Sequence, residues 1–247
     1  MTKINWPQAF AEIALLALGV LVALGGDAWM DGRREDKAEH TYLVSLREDF
    51  DETRRLTADY IENNRRSLGV CLELLDALAG APDSVSPDGL ARLIKDAFWV
   101  YNLEPARATC QDMLNSGDFE LLKSIDLRLA LARSDENLRM LDGFDELQWE
   151  HWIRFELEFL RQHYDLGQVY PDYSGDAERD NVEIEPVRYP DAGFGADMPA
   201  LRSREFRNIV IARTILYQDA MVVATVGLRR SDAVLQLIDE ELRRFDG

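Results

Sequence analysis

Three histidines (His40, His151, His163) and two cysteines (Cys71, Cys110) are the side chains of this 247-residue chain most suited to metal or nucleophilic chemistry. A di-iron site in a helical protein needs a Glu-x-x-His pair on each of two helices, so that both ligands face inward. None of the three histidines has a Glu three residues before it. HExxH, GxSxG, P-loop and GxGxxG patterns are missing as well, which removes zinc hydrolysis, the nucleophile elbow and nucleotide cradling by motif. His151 beside Glu150 offers an acid–base pair on paper. Neighbouring helical residues point apart, however, and a solvated or capped histidine is the competing reading. The two cysteines are too far apart for a CxxC pair. They read as small buried hydrophobes, with a bridge between them open only in an oxidising compartment.

One acidic segment has a metal-like spacing. DYSGDAERDNVE sets Asp172, Ser174, Asp176, Glu178, Asp180 and Glu183 at positions 1, 3, 5, 7, 9 and 12 of a calcium loop. Ala177 stands where the sharp turn requires Gly, so an ordinary solvated acidic loop is the favoured reading. The expectation is therefore no metal, no cofactor and no catalytic residue, and a protein that is not an enzyme.

Elements that could position a binding surface are easier to read. The run Ile13 to Gly26 (IALLALGVLVALGG) has no charged or strongly polar side chain. Extended from Trp6 to Met30, it reaches the length of a membrane helix, with tryptophans at both ends as in an interfacial belt. Trp6, Phe10, Ile13, Leu16, Val20, Leu24 and Trp29 are the expected anchor residues. A signal peptide or a buried core helix are the alternatives. Arg33, Arg34 and Lys37 after the span, against Lys3 before it, lean toward a cytoplasmic body at a bacterial inner membrane, with the periplasmic side left open.

Beyond the span the spacing predicts an all-α body. Leu43, Leu46 and Phe50 continue through Thr53, Thr57, Tyr60 and Asn64 at three- and four-residue steps, and the polar middle of that stripe predicts partial exposure. After Pro7 no Pro falls before Gly80, so the span is expected to run straight into a long first helix. Ser86-Pro87 reads as an N-cap with Pro at the first helical position, opening a helix that reaches Tyr101. A shorter helix is expected from Pro105 to Gly117, another from Asp118, and a long one from Ser134 to Tyr164. That last helix carries Trp149 and Trp152 on an aromatic stripe, read as core, and a polar ridge of Glu146, Glu150, Arg154 and Glu158. Residues 165–202 lose periodicity and contain Tyr170, Tyr173 and Tyr189. Ser203 caps a closing helix to about Phe245, where Arg213, Gln218 and Asp219 argue against a second span. The expected fold is a transmembrane helix with its juxtamembrane segment (1–38) continuing into an antiparallel helical bundle (39–247) that has one irregular loop.

The order of these segments resembles a known family. An apolar span opening on an acid, EIALLALGVLVALGGDAW, precedes DGRREDKAEHTYLVSLREDFDE, then MLNSGDFELLKSIDLR and a helical LQLIDEEL tail. This is similar to the DUF6090 family of uncharacterised bacterial single-span membrane proteins, with matching positions at Glu12, Trp29, Arg33, Tyr42, Leu43, Leu46, Asp49, Ser116, Gly117 and Leu121. Residues 165–202 depart from it. The resemblance implies a membrane-anchored α-helical domain and no established activity.

Charge narrows the partners. The chain carries 46 acidic against 28 basic side chains, a net −18, and phosphate backbones are held by clustered Lys and Arg. Nucleic acid is not expected. A lipid bilayer through the N-terminal helix and another membrane protein or complex are, with Trp149, Trp152, Tyr170, Tyr173 and Tyr189 as the partner surface. The expected role is an interaction or accessory subunit of an inner-membrane assembly, and the alternative is a membrane-tethered ligand-sensing domain.

Overall fold

The computed structural model describes residues 6–81, 85–170, 172–173, 185, 187–189 and 195–245. Helix makes up 83% of the chain and strand 1%, so the fold is all-α. The elements are α1 (Trp6–Ala79), α2 (Pro87–Ala97), α3 (Ala108–Ser116), a 3₁₀ turn (Asp118–Leu121), α4 (Ile125–His151), a π-helical turn (Trp152–Glu156), α5 (Leu157–His163), α6 (Leu166–Val169), β1 (Asp172–Tyr173), β2 (Val187–Arg188), α7 (Met198–Leu201) and α8 (Arg204–Leu242). The two short strands pair antiparallel, Tyr173 opposite Val187.

Local signals place several ends where the sequence puts them. The Ser86 hydroxyl accepts from the Gly89 amide, and Pro87 opens α2. Gly117 ends α3 in the left-handed region at φ 83°, a conformation that costs a residue with a Cβ. The Ser203 hydroxyl accepts from the Phe206 amide at the start of α8. Other boundaries move. α2 stops at Ala97 and the chain is non-helical through Tyr101. α3 begins three residues after Pro105. The stretch from Asp118 makes only a 3₁₀ turn before α4 starts at Ile125, so the helix expected from Ser134 begins nine residues earlier and is interrupted by the π turn.

α1 is helical without a break over 74 residues, including the whole expected span. The side chains of Trp6, Phe10, Ile13, Leu16, Val20 and Leu24 lie outside the described residues. Leu15, Leu18 and Trp29 are exposed. Among the described residues one helix, α8, is long and apolar enough to cross a membrane, by length and composition only. Its buried positions, among them Phe206, Val210, Arg213, Tyr217, Ala220 and Ala224, follow three- and four-residue steps along one face.

The chain divides into two compact units. The first comprises residues 1–50, 107–129 and 234–247. It buries Leu43, Leu46 and Phe50 of α1, Met113 of α3 and Ile238 of α8, each contributing about 1.5–3 kcal/mol on leaving water. Polar groups fix its register. Asp49 accepts from the Thr109 amide at the start of α3 at 2.9 Å, Tyr42 donates to Asp118 at 2.6 Å, and the buried Glu39 accepts from the Lys123 amide at 2.8 Å.

The second unit comprises residues 51–106 and 130–233. Its α1 stripe corrects the expectation of partial exposure, because Thr53, Thr57, Tyr60 and Asn64 are all buried. Hydrogen bonds compensate their polarity. Thr53 donates to the Ala106 carbonyl at 3.2 Å, Thr57 to the Thr53 carbonyl at 2.7 Å, Tyr60 to Asp145 at 2.7 Å and Asn64 to the Tyr60 carbonyl at 2.9 Å. Below them lies an apolar core that includes Cys71, Leu74, Ile94, Phe98, Phe159 and Phe206.

Candidate functional site

The second unit contains an aromatic cleft of about 650 Å³, within the size range of small-ligand and peptide pockets. Three segments build it. The first is the non-helical run after α2, which supplies Phe98, Trp99, Val100 and Asn102. That run is held from behind, because the buried Tyr217 hydroxyl sits 2.9 Å from the Ala97 carbonyl oxygen and 2.8 Å from that of Trp99. The Cys71 thiol also donates to the Ala97 carbonyl at 3.3 Å. Two donors from α1 and α8 thus fix the backbone from which Phe98 and Trp99 project.

The second segment is the end of α4 with its π turn, supplying Trp149, Trp152 and Leu157. Here the Leu157 amide donates to the Trp152 carbonyl, five residues back, and one residue is in effect inserted into the helix. Such insertions are frequent at functional sites. Trp149 and Trp152, three apart, both reach the cleft. Phe98 packs on Trp152 with ring centroids 6.4 Å apart, and edge-on to Phe206 at 6.1 Å. The third comprises α6 and the residue after it, supplying Leu166, Gly167 and Tyr170, joined by Tyr189 from just beyond β2.

Four of the five aromatic residues expected at a partner surface therefore share one cleft. Tyr173 is placed on β1, and its side chain lies outside the described residues. Trp149 is 55% and Tyr189 49% exposed, so the tryptophan stripe read as core is at the surface on one side.

Behind the π turn lies a buried ion pair that the sequence reading missed. Glu156 and Arg213 are both fully buried and form a two-pronged ion pair, Arg213 Nε to Oε1 at 2.6 Å and Nη2 to Oε2 at 2.5 Å. His151 Nδ1 adds a third contact to Glu156 Oε1 at 2.9 Å. The π turn places residues five apart on one side, and His151 meets Glu156 rather than Glu150. With both oxygens taken by a guanidinium, the carboxylate serves to position the turn. The Cys71 thiol is pushed up to about 12 by burial and, secondarily, by the Glu156 charge, which leaves it an unreactive thiol.

A second polar group, on α1 and α4, surrounds Asp145. Its carboxylate accepts from Tyr60 at 2.7 Å and from the Leu103 amide at 3.0 Å, while the Gln148 amide donates to Tyr60 at 3.3 Å. Burial raises Asp145 to about 6 despite these hydrogen bonds. The Tyr60 phenol is raised too, first by burial and then by the Asp145 charge.

Among the described residues the remaining expected sites do not converge. Of the calcium-like positions only Asp172 is described, on β1, and Ser174, Asp176, Glu178, Asp180 and Glu183 lie outside the described residues. His163 approaches Asp197 at 3.1 Å, and His40 stacks edge-on to Phe245. Among the described residues no group of three or more His, Cys, Asp or Glu is disposed to hold a metal ion. A second cavity of about 520 Å³ lies between the end of α1, the start of α2 and α7, with Arg202 at its edge. No protein-family model, no curated protein and no solved structure matches the chain.

Proposed function

We propose that the chain is a membrane-anchored interaction subunit that docks an apolar segment of another membrane protein into its aromatic cleft. The supporting observation is the convergence of Trp149, Trp152, Tyr170 and Tyr189 on one cleft. Tryptophan and tyrosine dominate binding energetics because each buries a large area with few rotatable bonds. The anchor is the segment from Trp6 to Met30 at the head of α1, with the acidic body on the cytoplasmic side of a bacterial inner membrane and its helices forming an antiparallel bundle. An acidic body near anionic lipid is repelled by the surface, which suits it to meeting protein rather than lying on the bilayer. The role is binding, not catalysis. The resemblance to single-span membrane-anchored proteins agrees with this reading.

Alkaline extraction of membranes from cells expressing the chain tests the anchor. Full-length protein stays with the pellet, and a chain beginning at residue 39 is released. Release of both would remove the anchor from the proposal. A membrane-tethered sensor is the second reading, favoured by the volume of the same cleft, about 650 Å³. A small molecule that co-purifies and is displaced by Trp149→Ala would favour it over protein docking.

A further inference from the structure

The lining of the cleft specifies a charge as well as a shape. Among the described residues none of its side chains is ionisable to a cation or an anion at neutral pH, and its polar groups are Asn102, indole N–H groups and phenol hydroxyls. An anionic ligand would find no Lys, Arg or His among those residues. The nearest helix start offers it nothing either, because the Gly167 amide at the head of α6 is already taken by Asp165 at 2.9 Å. The second unit meanwhile carries 30 acidic against 18 basic side chains, a net −12, a field that concentrates cations and repels anions. Aromatic faces hold cations through their negative quadrupole, indole best of all. Three tryptophans, two tyrosines and a phenylalanine line this one cleft.

From this charge complementarity we infer that the cleft binds an organic cation of the quaternary ammonium class, its alkylated nitrogen against the faces of Trp99, Trp149 and Trp152. The volume leaves room for a body attached to that head group. This ligand assignment rests on the second reading of the cleft, that of a ligand-sensing domain, and the same cleft would recognise the cationic group whether it is free in solution or carried on a lipid.

The test uses the full chain in nonionic detergent and follows its tryptophan fluorescence. Choline is titrated beside 3,3-dimethylbutan-1-ol, which has the same shape without the charge, and beside dihexanoylphosphatidylcholine below its micelle concentration. Choline is expected to bind at least tenfold more tightly than the neutral alcohol, and Trp149→Leu to weaken choline at least fivefold. Trp149 is half exposed, so this variant keeps its fold, checked by unchanged helical circular dichroism. Tighter binding of the phosphatidylcholine than of choline assigns a lipid head group, and the reverse assigns a soluble cation. Equal affinity of choline and the alcohol, or no choline binding at 50-fold above the protein concentration and upward to about 100 mM, overturns the inference. Crosslinking of a partner through position 149 is independent of that outcome, so a cleft that rejects cations yet crosslinks keeps the docking reading and loses only the ligand class.

Discussion

Arg213 on α8 meets Glu156 at the end of the π turn through two parallel hydrogen bonds of 2.6 and 2.5 Å, with neither side chain exposed. The pair ties α8 to the turn that carries Trp152. Removing one partner strands the other charge in the interior. Arg213→Met or Glu156→Gln alone is expected to cost about 3–5 kcal/mol, while Arg213→Met with Glu156→Leu costs much less, because a buried ion pair is weak net stabilisation once both charges go. Urea unfolding of the four proteins checks this. Additive losses in the double variant would contradict it.

Asp145 supplies a pH dependence of definite sign. Its folded-state value of about 6 stands above the 3.8 of a free carboxyl, so between those values the folded chain binds the proton more tightly than the unfolded one. Its contribution to stability is complete below about 3.8 and is lost as pH rises through 6. Relative to Asp145→Asn, wild type is expected to gain on the order of 1 kcal/mol on going from pH 7 to pH 4.5, after allowing for the part exposure of the group. Unfolding midpoints of both proteins at several pH values measure the difference. A difference independent of pH would show that Asp145 is not titrating there.

Gly227 marks the close approach of α8 to α4. A Cβ at this position would lie 2.4 Å from Asn137 Oδ1 and 3.9 Å from Leu141, and Asn137 is itself buried and donates to the Val223 carbonyl at 3.2 Å. Gly227→Ala is expected to destabilise by about 1–3 kcal/mol through overpacking. Adding Asn137→Ala should cancel part of that cost, and a thermal-unfolding cycle with the two single variants and the double reads the coupling directly.

What the sequence made legible was local. Ser86, Gly117 and Ser203 mark helix ends by chemistry contained within four residues, and the three- and four-residue steps of α1 and α8 give their buried faces. The polar stripe of α1 misled because its partners, the Ala106 carbonyl and Asp145, are distant in sequence. Residue type at Thr53 spoke for water and only the fold supplies its Ala106 carbonyl, whereas Thr57 and Asn64 are buried on hydrogen bonds to carbonyls four residues back in α1. Glu156 was overlooked for a different reason. The four-residue ridge Glu146, Glu150, Arg154, Glu158 drew attention to an exposed face, where Glu150 and Arg154 do pair at 2.9 Å. A signal for the buried pair was nonetheless present. Glu156 interrupts the apolar stripe that holds Trp152 and Leu160, and Arg213 interrupts the apolar face that holds Val210 and Tyr217. Opposite lone charges in two apolar faces are what a buried ion pair looks like in a sequence. The aromatic cleft was half legible: Trp149, Trp152, Tyr170 and Tyr189 were singled out as residues, whereas Phe98 and Trp99 join them only because α2 ends early, at Ala97.

The most direct measurement of the docking proposal is photo-crosslinking in native membranes, with p-benzoylphenylalanine placed at Trp149 in one protein and at Leu72 in another. Both positions are about half exposed in the second unit, but only Trp149 lines the cleft. The proposal predicts one discrete protein adduct through position 149, absent from position 72 and lost when Tyr189→Ala is added. The same adducts from both positions, or none from position 149 while the protein remains in the membrane fraction, would contradict a docking cleft.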